Sequence, residues 1–380
     1  MPRKTGKYTL QPGGYRAFIP ASPVPDPPIE MDMELYRLLS AADRALGRLD
    51  GSVHTLPNPE LFVFMYVRKE AVLSSQIEGT QASIGDVLEI EARIFNPERP
   101  NDVAEVLNYV DAMNHGLARL GDLPLSLRLV REIHEKLMRG VRGGHAMPGE
   151  FRRTQNWIGS DGAALTDATF VPPPPTELPR FLAEFEAFLH HGDSMPALIQ
   201  IGLAHAYFET LHPFLDGNGR IGRLLVTFML CQREILIKPV LYLSHYFKKH
   251  RRNYYDLLQA NRDAGMLEDW LKFFLRGIAE VSNEATETAR RIVAMREEHR
   301  NVVNSQFGQG AANALLVLET LFAKPIVSVK DVASATALTY PAANALTERL
   351  CEYGMLEEMT GKKRNRRFRY APYIAIFASD

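Results

Sequence analysis

The sequence predicts a mainly α-helical chain with one irregular, hairpin-like interruption and a small C-terminal α+β unit. Three observations predict this. Apolar residues recur at spacings of three and four through most of the chain, as at Ala197, Ile201, Ala204, Phe208 and Leu211, which is the period of a helix. The stretch from Gly140 to Pro175 breaks that period with glycines, Trp157 and the tract Pro172 to Pro175. After Gly308 and Gly310 the pattern restarts as three short helices and two strand-like runs, the order of a winged helix-turn-helix. With 380 residues, of which 46% are hydrophobic and 23% charged, several folding units are expected and wholesale disorder is excluded.

Taken in order, residues up to 30 hold Pro20, Pro23, Pro25, Pro27 and Pro28 and read as an extended lead-in, because each proline removes a backbone donor and fixes φ. From Pro59 a dense apolar run reads as a helix that stops at Gly79, with Glu78 in its last turn. Helical patterns follow over Asp102–Arg119 and Ser126–Arg139. Pro196 opens the helix of the apolar stripe, Leu224, Leu225 and Phe228 mark the next, and Asn253–Arg276 reads as one more. Glu280–Arg300 is a polar helix. Ala311–Ala323, Val329–Ala335 and Thr339–Tyr353 are the three short helices, and Met355–Phe377 reads as two strands around Thr360-Gly361-Lys362-Lys363. These divisions suggest a helical region over 1–115, a core over 116–280, a linker helix over 281–307 and the C-terminal unit over 308–380.

Composition narrows the function. No apolar run reaches the roughly 18 residues of a membrane span, no apolar segment follows Met1-Pro2-Arg3-Lys4, and a cytoplasmic protein without a membrane partner is expected. Cys231 and Cys351 are too few for a disulfide framework or a four-ligand zinc site and read as buried, reduced side chains. A net charge of −1 gives no global attraction to nucleic acid, so such a partner needs a local patch. Lys362, Lys363, Arg364, Arg366, Arg367 and Arg369 form one, and the alternative function is a nucleotide-sensing DNA-binding regulator acting through the winged helix of residues 308–380. A protein-docking or dimer surface suits the same unit.

The chemistry is concentrated in LHPFLDGNGRIGRLL, Leu211 to Leu225. Gly217, Asn218 and Gly219 are expected to form a turn opening a helix, whose first N–H groups have no intrahelical partner and attract an anion. Arg220 and Arg223, three apart, are expected to share a helical face and offer guanidinium forks to phosphate oxygens. Asp216 ahead of the turn suits a Mg²⁺ ion shared with phosphates. His212, with an ordinary pKa near 6.5, suits a general base. The letters of Gly217, Gly219 and Gly222 also satisfy GxGxxG, but that fingerprint follows a β-strand and here the preceding residues have helical period.

HPFLDGNGRIGR, His212 to Arg223, resembles the HPFx[D/E]GNGRxxR signature of Fic-domain proteins, which mostly transfer AMP from ATP to hydroxyl side chains of other proteins. The resemblance implies a Fic helical core with a β-hairpin flap. It implies that His212 deprotonates a Ser, Thr or Tyr hydroxyl, Phe214 packs in the core and Asp216 holds Mg²⁺. It further implies that Gly217, Asn218, Gly219, Arg220, Ile221, Gly222 and Arg223 contact ATP. Ser74-Ser75-Gln76-Ile77-Glu78-Gly79 resembles the family's inhibitory pattern [S/T]xxxE[G/N], in which the glutamate pairs with the last arginine of the signature, here Arg223, and Ser74 orients it. A carboxylate at a helix C-terminus faces the negative end of the dipole, so a compensating cation is expected on physical grounds too. Gly149 to Ser160, running on to Pro173, is similar to the flap, whose edge would pair with an extended segment of the target protein. Ile158, Gly159 and Ser160 there, and Tyr254, Tyr255 and Asn261 further on, would neighbour the nucleotide. The signature constrains phosphate handling, so transfer of another group, or removal of AMP, stays inside the class.

Overall fold

In the computed structural model, residues 3–54, 59–96, 100–141, 147–159, 162, 164–191 and 195–378 are described. The proline-rich start is not simply extended. β1 (Gly6–Leu10) and β2 (Arg16–Pro20) pair antiparallel, with Pro20 ending β2 and Pro23, Pro25, Pro27 and Pro28 after it. Eleven helices come next among the described residues: α1 (Met33–His54), α2 (Pro59–Ile77), α3 (Ile84–Glu91), α4 (Val103–Leu120), α5 (Leu127–Leu137), α6 (Leu178–Leu189), α7 (Ala197–Leu211), α8 (Asn218–Gln232), α9 (Ser244–Lys249), α10 (Arg251–Ala264) and α11 (Leu267–Gln306). Of the hairpin expected between Gly140 and Pro175, the described residues show one antiparallel bridge, Ile158 to Phe170, in which each residue's N–H donates to the other's carbonyl.

The core is built around α7 and α8. The sequence suggests one apolar stripe on α7, but α7 is buried on nearly every face, because α1, α6, α8, α10 and α11 all pack on it. Its polar side chains are buried with partners: Gln200 donates to the carbonyls of Phe188 and His191, and His205 lies between the Gly222 carbonyl and the Tyr254 hydroxyl. The single helix expected over Asn253–Arg276 is two. Gly265, at φ 69°, ends α10 in a left-handed cap, its N–H bonded to the Asn261 carbonyl, and α11 starts at Leu267. At 40 residues, about 60 Å of helix, α11 runs unbroken across position 280, where the core was expected to end, and packs along α1.

The C-terminal unit holds α12 (Ala311–Ala323), β3 (Ile326–Val327), α13 (Val329–Thr336), α14 (Tyr340–Glu352), β4 (Glu357–Glu358), β5 (Phe368–Arg369) and α15 (Ala371–Ala378), its antiparallel sheet ordered β3-β5-β4. The second strand expected up to Phe377 is short, and residues from Ala371 are helical instead. Tyr370, Tyr373 and Phe377 there are buried against Phe322 and Tyr66. α12 packs on α2, and Arg367 Nε donates to the Ala92 carbonyl at 3.1 Å, so this unit rests on the helix that leads to Glu78. Of the six cations around the β4–β5 turn, Arg366 pairs with Glu348, Arg369 with Glu357, and Arg367 bonds Ala92. Lys362, Lys363 and Arg364 stay exposed without an ion pair among the described residues.

Candidate active site

α7 ends at His212, which takes a left-handed conformation (φ 46°, ψ 58°) with its N–H bonded to the Phe208 carbonyl. That conformation costs a β-carbon-bearing residue energy, so neighbours must hold it. They do: Arg152 Nε and Asn156 Nδ2 donate to the His212 carbonyl at 2.9 and 3.2 Å, and Asn156 also reaches the Phe214 carbonyl at 2.8 Å. The imidazole is half-buried, and its Nδ1 is buried without a hydrogen-bond partner. Burial first, then the guanidiniums of Arg262 and Arg152, push its pKa down to about 3 despite Glu78. At neutral pH the ring is therefore unprotonated.

The bend follows. Gly217, at φ 79°, caps α8, whose first backbone bond runs from the Ile221 N–H to the Gly217 carbonyl, so the amides of Asn218, Gly219 and Arg220 have no intrahelical acceptor. Asn218 turns out to serve the loop with its side chain, accepting from Phe214 N–H and donating to Phe214 C=O, both at 2.8 Å. Phe214 is fully buried and stacks on His134 at 3.7 Å.

The two arginines are held by different partners. Arg220 bonds Glu105 of α4 at 3.0 Å in a buried ion pair and lies 3.7 Å from Asp216. Arg223 bonds Ser74 Oγ (2.8 Å), the Ser74 carbonyl (3.0 Å) and Glu78 Oε1 (2.6 Å), and its remaining Nη1 has no partner. Glu78 sits just past the end of α2. Burial opposes its ionisation, yet the guanidinium of Arg223 beside it keeps its carboxyl below the ordinary value. A Cβ added to Gly219 would collide with Glu78 Oε1 and come within 3.0 Å of Arg223 Nη1, so the Glu78 carboxylate seats directly on the bend.

Asp216 is exposed, with Oδ1 accepting from the Gly217 N–H at 2.6 Å. Among the described residues no cluster of three or more His, Cys, Asp or Glu is placed to hold a metal by itself. One carboxylate beside a phosphate site is the donor set that Mg²⁺ accepts, so the residues present fit that ion only together with a phosphate ligand.

The remaining expected contacts divide. Ile158 and Gly159 lie on the bridged segment, whereas Ser160 lies outside the described residues. Tyr254 is fully buried with its hydroxyl on His205, making it a packing residue, while Tyr255 is 39% exposed near Arg251. Asn261 is buried, its carbonyl taken by Thr5 Oγ1 at 2.6 Å and its side-chain oxygen unpartnered.

Sequence reasoning missed His134, Arg262 and Glu209, and took Arg152 and Asn156 only as part of the flap-like segment. Arg152 donates to carbonyls of residues 173, 211 and 212, and Arg262 lies 3.9 Å over the Phe170 ring; burial pulls both guanidiniums down to about 10. Glu209 is buried with Oε1 unpartnered, and burial lifts its pKa to about 7. The sequence carries no local signal for these, since their partners are far along the chain.

Fold and bend together define a helical protein with a neutral imidazole beside a helix start whose first amides lack intrahelical acceptors. Residues 36–118 match the Fic/DOC family N-terminal region and residues 124–230 match the Fic/DOC family. The chain is a Fic-domain protein. It is 31% identical over 168 residues to protein adenylyltransferase Fic of Culex quinquefasciatus, covering 43% of this chain and 29% of that protein. With protein adenylyltransferase Fic of Aedes aegypti it shares 30% identity over 226 residues, 56% of this chain and 39% of that one. The chain thus spans well under half the length of these curated relatives. Its fold resembles a Fic family protein from Desulfovibrio desulfuricans G20 (TM-score 0.58, 18% identity, 90% of this chain and 97% of that one). It also resembles a Fic domain containing signaling protein from Bacteroides thetaiotaomicron VPI-5482 (TM-score 0.52, 18% identity, 68% and 97%). No described helix is long and apolar enough to cross a membrane.

Proposed function

We propose that this chain is a protein adenylyltransferase that moves AMP from ATP to a hydroxyl side chain of a target protein and is held off by Glu78. The observation that carries this is the neutral, half-buried imidazole of His212 set one bend away from the unpaired amides of Asn218 to Arg220. His212 takes the proton of the target hydroxyl, the freed oxygen bonds to the α-phosphorus, and the bond to pyrophosphate breaks. The amides of the bend, with the positive end of α8, stabilise phosphate charge. Asp216 would hold Mg²⁺, which supplies further charge neutralisation when bound. Glu78 opposes all this in the resting state by occupying Arg223 and the space over Gly219.

Target docking follows from backbone bonding around the flap. Phe170 exchanges bonds with Ile158, and Val171 already accepts from the Phe18 N–H at 2.9 Å, so the outer side of the segment at Gly159 is the edge we assign to the target's extended segment. Incubation with α-labelled ATP and Mg²⁺ tests the reading. In a Glu78→Gly background, His212→Asn, which tolerates the left-handed backbone, should lower labelling of the chain or a lysate protein about 10²- to 10⁴-fold. Equal labelling with and without His212 rejects it.

A second reading rests on Lys362, Lys363 and Arg364, exposed on the β4–β5 turn: contact with DNA phosphates through a winged-helix unit. A gel shift indifferent to salt and to Lys363→Ala rejects that one.

A further inference from the structure

We propose that His134 is a positioning residue for this site: it fixes the peptide between Asp216 and Gly217 so that the Asp216 carbonyl is held against α5 and the Gly217 N–H is turned onto the Asp216 carboxylate at the head of the bend. The inference rests on the adenylyl-transfer reading and adds to it a residue outside the signature.

His134 lies on α5, completely buried, beneath the bend. Its Nδ1 accepts the N–H of Gly149 at 2.9 Å, so the ring proton sits on Nε2, which donates to the Asp216 carbonyl at 3.0 Å. In a trans peptide the C=O and the following N–H project to opposite sides. Holding the Asp216 oxygen against α5 therefore turns the Gly217 N–H away from α5, where it is found bonded to Asp216 Oδ1 at 2.6 Å. The ring face adds a second restraint by stacking on Phe214 at 3.7 Å and 7° between planes. Gly217 fits here because nothing larger does: a Cβ would lie 2.9 Å from Met138 Sδ and 3.6 Å from His134 Cδ2. One imidazole thus links the start of the 149–159 segment to a bend remote from it in sequence, which it holds at the buried Phe214 and at the Asp216 carbonyl. Hydrogen-bonded outer partners of this kind orient the groups that touch ligand.

Two substitutions separate the hydrogen bonds from the packing. His134→Phe keeps an aromatic face on Phe214 and offers no bond; His134→Gln offers one donor and one acceptor without a ring. In the Glu78→Gly background, the affinity for ATP with Mg²⁺ is measured by titration calorimetry, after circular dichroism melting shows each variant folded. The expected result is a loss of about tenfold for His134→Phe, the worth of one charge-assisted hydrogen bond, with most of it recovered by His134→Gln. The reverse order, or no loss with Phe, overturns the proposal, because ring packing alone would then account for the residue. If the Glu78→Gly parent binds no ATP, the functional reading falls by itself. The crystal structure of His134→Phe still decides the inference in that case: a turned 216–217 peptide supports it, and an unchanged one overturns it.

Discussion

Replacing Glu78 by glycine should make the protein more active and less stable at once, and both effects come from a single contact. Arg223 has a side chain only 2% exposed and gives Glu78 Oε1 a 2.6 Å bond, while the Glu78 side chain keeps 34% of its exposure. A charge-assisted hydrogen bond of this kind is worth about 1.5–3 kcal/mol, and 1.4 kcal/mol is tenfold in an equilibrium. If a phosphate must displace Glu78 from Arg223, removing the carboxylate raises AMP transfer by about 10- to 150-fold at limiting ATP. The same change leaves a buried guanidinium with only Ser74 as partner. Breaking a fully buried pair costs about 3–5 kcal/mol, and the partial exposure of Glu78 places this case at about 1–3 kcal/mol by urea unfolding. Glu78→Gln, which keeps an acceptor and loses the charge, should fall between parent and Glu78→Gly on both scales. Stability lost with transfer unchanged would refute the argument, since Glu78 would then be a structural partner of Arg223 and nothing more.

Other consequences can be checked independently. Because His212 in the free protein is held down to about 3, kcat/KM should show no acid limb near 6.5; a limb there would mean the ring is not desolvated as the structure has it. Asn218→Ala should cost about 2–4 kcal/mol in urea unfolding, since both Phe214 backbone groups lose a buried partner, whereas a loss confined to ATP affinity would show the side chain serving the ligand instead. Stability should also depend on pH with a recognisable shape. His134 and His205, lowered to about 4 by burial, contribute fully above about 6.5 and lose that contribution as pH falls through 4; Glu70 and Glu209, raised to about 7 by burial, contribute fully below about 4.5 and lose it as pH rises through 7. Urea unfolding should therefore change less between pH 4.5 and 6.5 than between 3 and 4.5, and a steep monotonic rise across 4.5 to 6.5 would contradict these environments.

Much of the site can be read from the chain itself because its parts are contiguous. Residues 212–223 carry a base, a bend and a helix start within one local segment, and backbone geometry alone makes that segment an anion-binding turn. The stop of α2 at Ile77, ahead of Gly79 at φ 99°, is local in the same way, as are the bounds of α12. Long-range packing decided the rest. Arg220 looks like a phosphate ligand in sequence and is a buried partner of Glu105, 115 residues away. Tyr254 looks like a nucleotide contact and closes a hydrogen bond with His205 inside the core. For His134, Arg152 and Asn156, which hold the bend in place, the helical pattern and the flap-like segment do not announce that role, because what gives it to them is a carbonyl brought near by folding. Local sequence sets which groups the bend presents. Whether a charged or polar group is free for a ligand or already spent on a neighbour depends on desolvation and pairing, and those exist only once distant segments meet.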